Sequence, residues 1–272
     1  MDDEQRHGVW RSGLWAAAAA AAMLGWVAWG NLKEDAQAGP FSSLHGAKTD
    51  AEREMAGRLL AEGYQVLRSD AFSDAMAGLS ERYPAVYARD SAQAVNPRAI
   101  ADIVALRTSG ARYAPAQAAL VDGGGPHLGM AGEAGYTSGR HADVIITREV
   151  LAQFASPDVV RRSCAINVAA HEYAHTISLT PVGLTNAFTD TNERQRVIPN
   201  RRDGASPVAS YLIGSTAQCV WLVAQGRIGR EAIPRCIEVF GVQSFNWNRC
   251  GAFAGGGEVA ARPGLPPPSP GL

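Results

Sequence analysis

The chain carries the pattern His-Glu-x-x-His at His171-Glu172-Tyr173-Ala174-His175. On a helix, a spacing of four puts both imidazoles on one face, one turn apart. Two neutral ring nitrogens can then converge on one ion at roughly 2.0–2.1 Å, the bond length zinc takes to histidine. Glu172 is offset by one position and points beside such an ion, where a general base for a metal-activated water must stand. The chain has only six histidines, and chance alone would produce the full pattern roughly 0.006 times in a sequence of this composition. The spacing therefore predicts a centre for one Zn2+ ion, with His171 and His175 as ligands and Glu172 as catalytic base.

Two histidines of one helix supply only one edge of a tetrahedron, so another protein ligand must come from elsewhere. Glu193 ranks first, and Asp190-x-x-Glu193 also reads as a capping box. Asp190 and Asp203 are the next alternatives, then His127 and His141, with Cys164 last because it lies about 10 Å up the helix axis. Hydrolysis also needs a donor to a tetrahedral oxyanion. Tyr211 is the residue expected in that catalytic role, with Tyr136 as alternative. Arg201 and Arg202 are candidates for binding a substrate carboxylate.

The elements that must hold these residues are readable from caps and periodicity. Ser156-Pro157-Asp158 is a helix start, with a cap, Pro at the first position and an acid on the dipole. Apolar periodicity continues to Leu179, and Thr180-Pro181 ends it. That predicts a buried helix of about 23 residues, roughly 34 Å long. Ser206-Pro207 repeats the start signal, and a second apolar helix is expected from Val208 to Gln225. It contains no Asp or Glu. Its most plausible ligand atom is the Gln218 amide oxygen, a poor partner for zinc. Between the helices, 181–205 is long for an unstructured connection, with Phe188 as its one buried anchor.

Upstream, helix-period apolar residues mark 49–68 and 70–83. Asn96-Pro97 is a further helix start, followed by Ile100, Ile103, Val104 and Leu106, with Gly110 closing it. Ala116 to Val121 and Asp143 to Thr147 read as strands, the second in a buried position. A short helix is expected near 231–240.

The strand Asp143-Val-Ile-Ile-Thr147 followed by a helix bearing His171-Glu-Tyr-Ala-His175 resembles the core of the zincin metallopeptidases, over about residues 113–225. The resemblance implies an α+β, mainly helical fold, with a small sheet packed against the HExxH helix. It implies that the edge strand takes an extended peptide by strand addition. It also implies peptide-bond hydrolysis by a water activated at zinc. Metzincins continue with Gly and a further His where this chain has Ser178 and Pro181. The short Asp-bearing segment of aspzincins is absent. Glu193 lies close to the spacing of gluzincins, which makes this a gluzincin-like chain with an atypical third ligand. A catalytically degenerate envelope protein that binds peptides or partners is the alternative.

Residues 13–30 are uncharged and apolar, and they predict an export segment. One reading is a signal peptide cleaved after Ala36-Gln37-Ala38. The other is a membrane anchor flanked by Trp10, Trp15, Trp26 and Trp29. Either places the rest outside the cytoplasm: periplasmic, secreted or membrane-anchored. The expected layout is 1–38 as leader or anchor, 39–253 as the metallopeptidase domain and 254–272 as a Gly/Pro-rich tail. Lys+Arg 25 against Asp+Glu 26 leaves no global field to hold nucleic acid. The expected partner is a peptide or protein substrate, together with the membrane if the N-terminal segment is retained. Hydrophobic residues at 46% and charged residues at 19% exclude a disordered chain and a polytopic membrane protein. Four cysteines, all beyond residue 160, predict two disulfides in an oxidising compartment. The expected pairs are Cys164–Cys219, between the two long helices, and Cys236–Cys250.

Overall fold

The computed structural model describes residues 41–87, 94–113, 116–122, 132–136, 142–179, 187–188, 207–242 and 250. Among them the chain is α+β and mainly helical, as its sequence predicts, with seven α-helices and eight short strands.

Helix α1, Asp50–Arg68, starts on Thr49, whose hydroxyl accepts from the Glu52 amide. Ser69 both ends α1 and begins α2, Asp70–Gly78. Its hydroxyl donates to the Val66 carbonyl at 2.7 Å and accepts from the Phe72 amide at 3.1 Å. Helix α3, Pro97–Val104, has the expected Asn96 cap and leading proline. It stops well short of Gly110, because Leu106 takes a left-handed φ of 59° that no helix continues.

The main sheet has four strands in the order β1 (Phe41–His45), β5 (Ala116–Val121), β7 (Ala142–Thr147), β6 (Gly132–Tyr136). The first three run parallel, and β6 pairs antiparallel to β7. The two strands read from the sequence are its interior. Val144 and Ile146 of β7 are buried beside Ala118 and Leu120 of β5, as expected for apolar strands covered by helices. Two small antiparallel ladders complete the strands. One joins β2 (Val86–Tyr87) to β3 (Ala94–Val95), the other β4 (Arg112–Tyr113) to β8 (Ile177–Ser178).

Strand β7 runs directly into α4, Arg148–Phe154, with the Thr147 hydroxyl accepting from the Val150 amide. The apolar pattern does not single out this helix. Its first residue ties together the ends of three elements. Arg148 donates to Glu52 of α1, to Asp122 just after β5 and to the Gly46 carbonyl just after β1. Lys48 joins the same cluster through Asp122 at 3.0 Å.

Helix α5, Val159–His175, is the centre of the molecule. Every residue from Ser163 to His175 is buried, and α1, α4, β6, β7 and helix α6 (Ala209–Ala224) all pack on it. Two glycines let its neighbours approach closely. A β-carbon on Gly63 of α1 would stand 2.9 Å from the Ala169 β-carbon, and one on Gly214 of α6 would stand 3.2 Å from the His171 β-carbon. Helix α7, Ile233–Phe240, packs against α6.

Helix α5 differs from its sequence reading at both ends. Its cap is Asp158, whose carboxylate accepts from the amides of Val160 and Arg161, while Ser156 accepts from the Asp158 amide. A carboxylate beside the positive helix end is the stronger cap. The helix is 17 residues long and ends at His175. Ile177 and Ser178 leave it to pair with Tyr113 and Arg112, so strand pairing takes the residues that periodicity assigns to the last turn.

The cysteine pairing also corrects the expectation. Cys164 is bonded to Cys250, and Cys219 to Cys236. Helices α5 and α6 do pack together, but Gln218 faces Cys164, with its amide nitrogen 3.3 Å from the sulfur. One residue on, Cys219 is turned by about 100° around the helix, towards α7. The two bridges fit an oxidising, extracytoplasmic environment. Among the described residues no helix is long and apolar enough to cross a membrane. The expected leader or anchor, 1–38, and the expected tail, 254–272, lie outside the described residues.

Candidate metal centre

His171 and His175 stack along one face of α5, at the end of the helix and below its surface. Their exposures are 9% and 8%. The rings meet edge to face, with the two Nε2 atoms 3.1 Å apart. Glu172, 2% exposed, brings Oε1 to 4.0 Å from His171 Nε2. A buried carboxylate thus stands on the side where the two imidazole nitrogens converge.

The His175 ring is held from its far side. Its Nδ1 lies 2.9 Å from the Phe188 carbonyl oxygen. Phe188 is 1% exposed, as its reading as a buried anchor requires, and the adjacent Ala187 amide donates to the Ile177 carbonyl at 2.7 Å. The chain thus returns to the end of α5 immediately beside the second histidine.

On the opposite wall stands α6. From Ala209 to Leu222 all its residues are buried except Tyr211, whose half-buried ring lies 4.6 Å from the His171 ring, tilted by 44°. Tyr211 thus stands beside His171, the first histidine of the pair. The residues just before this helix are tied to two other parts of the chain. The Tyr87 amide donates to the Pro207 carbonyl, and the Val208 amide to the Val242 carbonyl, both at 2.9 Å.

Gln218 is not at the centre. Its amide oxygen accepts from Asn167 at 2.7 Å, and its nitrogen donates to Ser163 at 3.0 Å. Ser163 in turn donates to the Val160 carbonyl. Asn167 is one helical turn before His171, so this neutral polar ladder runs down the same face of α5 away from the histidines. With both amide groups satisfied inside the helix pair, Gln218 serves packing.

Tyr173, inside the motif, points to the other side of α5. Itself buried, it forms an aromatic cluster with the half-buried Tyr64 and Tyr113, with ring centroids 5.5 and 6.2 Å away. Burial holds its phenol well above the usual tyrosine range, and that of Tyr113 likewise.

The donor set suits zinc on the described side. Two ligand nitrogens at roughly 2.0–2.1 Å from one ion, near the tetrahedral angle, stand about 3.3 Å apart, against the 3.1 Å observed. Among the described residues no group of three or more His, Cys, Asp or Glu assembles. Glu193, Asp190, Asp203, His127 and His141 lie outside the described residues, as do Arg201, Arg202 and the side chain of Tyr136. Sequence reasoning missed the Phe188 carbonyl and the Asn167–Gln218 ladder. A backbone acceptor leaves no signature in residue type, though Phe188 was visible as an apolar residue in a polar segment.

An apolar cavity of about 450 Å³ lies elsewhere, between α1, α2, α6 and α7, with Trp221, Val220 and Leu79 in its wall. It opens at the far end of α6 from Tyr211. No family model matches the chain, and neither a curated protein nor a solved structure matches it.

Proposed function

We propose that this chain is an exported zinc metallopeptidase of the zincin type. The observation that carries the reading is the His171–His175 nitrogen pair at 3.1 Å with the buried Glu172 carboxylate 4.0 Å from it. His171 and His175 would hold the ion, with Glu193 as the third ligand. Zinc in that position supplies Lewis acidity, which acidifies water and polarises a scissile carbonyl.

The chain's own groups do the rest. Glu172 accepts the proton of the attacking water at Oε1 and returns it to the departing amine. Its burial keeps bulk water from competing for that proton. The Tyr211 phenol, beside His171 and half open to solvent, donates to the oxyanion of the tetrahedral species. Strand β6 supports a peptide substrate. It is the antiparallel end strand of the sheet, it packs along α5, and among the described residues it pairs only with β7. An extended peptide added to that edge would lie alongside the HExxH helix.

The test is zinc stoichiometry and peptide hydrolysis on the purified exported domain, with Glu172→Gln and Glu193→Ala beside it. One zinc per chain, hydrolysis lost in Glu172→Gln with zinc retained, and zinc weakened in Glu193→Ala are the expected results. Retained turnover in Glu172→Gln would overturn the mechanism. A chain that retains no zinc would instead be a catalytically degenerate binding protein.

A further inference from the structure

The histidine pair raises a question of protons that the motif does not answer. A neutral imidazole carries one hydrogen, on either nitrogen, and only the other nitrogen can bind a metal. Tautomers exchange readily in water, so a ligand histidine that is not held spends part of its time in the wrong form.

For His175 the fold makes the choice. Its Nδ1 stands 2.9 Å from the Phe188 carbonyl oxygen. A carbonyl can only accept, so Nδ1 must carry the hydrogen. The lone pair is then on Nε2, the atom 3.1 Å from His171 Nε2. The carbonyl is itself held in place. The Phe188 side chain is 1% exposed, and the preceding Ala187 amide donates to the Ile177 carbonyl at 2.7 Å. Strand pairing of Ile177 with Tyr113 anchors that carbonyl in turn.

We propose that Phe188 is a positioning residue: its buried ring holds its own carbonyl on His175 Nδ1, which locks His175 as the Nδ1–H tautomer with Nε2 ready to bind a cation. The proposal rests on the zinc reading for its consequence, but not for the tautomer itself. Such outer partners of ligand histidines orient the ring and raise its basicity. Here that partner is a main-chain oxygen, and the residue that positions it is an apolar one.

The experiment is 15N NMR of the full exported domain with labelled histidine, at about pH 8, where an ordinary imidazole is neutral. The His175 signals are assigned by their loss in His175→Ala. His175 in the Nδ1–H form, both before and after zinc is added, is the expected result. The Nε2–H form in the wild type overturns the proposal, and needs no variant to do so. Zinc affinity is then measured by chelator competition. Phe188→Ala should weaken it by about 10–100-fold, while Phe188→Leu, which refills the anchor site, stays close to wild type. Wild-type affinity in a folded Phe188→Ala also overturns it. A protein that binds no zinc sinks the peptidase reading, and the tautomer of His175 still decides this one.

Discussion

Gly214 sits against Asn167 with no space for a side chain: a β-carbon there would stand 2.3 Å from the Asn167 amide oxygen and 2.9 Å from its main-chain oxygen. The contact sets how closely α6 lies on the HExxH helix, one turn before His171, and so how closely Tyr211 approaches that histidine. Glycine inside a helix costs about 1 kcal/mol relative to alanine. Here the loss of intrinsic helix stability is offset by the approach it permits. Gly214→Ala should destabilise the protein by about 1–3 kcal/mol, because neither the Asn167 backbone nor the His171 β-carbon can retreat. Urea denaturation measures this, and unchanged or increased stability would show that the helices part without cost.

His171→Ala and His175→Ala should each abolish stoichiometric zinc binding, because each removes one of the two nitrogens that stand 3.1 Å apart. Metal analysis after dialysis is the check. Zinc content equal to wild type in either variant puts the centre somewhere else.

Gln218→Ala should behave differently. It leaves the buried Asn167 amide and Ser163 hydroxyl without the partner that both use. The expected cost is about 1–3 kcal/mol in stability, with zinc affinity close to wild type. A loss of zinc at preserved stability would return Gln218 to the list of ligands.

Reduction should act through two bridges of different reach. Cys164–Cys250 closes a separation of 86 residues and Cys219–Cys236 one of 17. In the chain-entropy model a loop of the shorter kind is worth about 3 kcal/mol, and the longer one somewhat more. Non-reducing peptide mapping should recover these two pairs, and a Cys164–Cys219 peptide would contradict the fold at the centre of the helix pair.

Acid should loosen the end of the sheet where Arg148 sits. Hydrogen bonds from Arg148, then from the Lys48 amide, hold the Glu52 carboxyl below its usual range. For Asp122 the leading cause is the Lys48 side chain. Depressed carboxyl values mean that the folded state binds fewer protons than the unfolded one. The stabilisation is therefore complete above the ordinary carboxylate range, near pH 4, and is lost as pH falls through the lowered values. Arg148→Ala should flatten this acid limb in a stability–pH profile, with a modest change at neutral pH because the cluster is partly exposed. An acid limb as steep as wild type in the variant would rule out the Glu52 carboxyl, whose leading partner is Arg148, as its source.

What could be read from the sequence was what depends on near neighbours. The spacing of His171 and His175 guarantees a shared helix face wherever the helix lies. Asn96-Pro97 starts α3 because cap and proline act within one turn. Ala116 to Val121 and Asp143 to Thr147 are interior strands because their apolar runs have flanks that end them. The tertiary structure decided whatever depends on how one helix is rotated against another. Gln218 faces Cys164, so Cys219 turns to α7 and each expected cysteine pair gives way to a different one. Ile177 completes a strand with Tyr113, so the helix stops at His175 and not at Leu179. The Phe188 carbonyl reaches His175 for the same reason: a main-chain oxygen is identical at every residue, and only the folded path of the chain selects which one lies beside an imidazole.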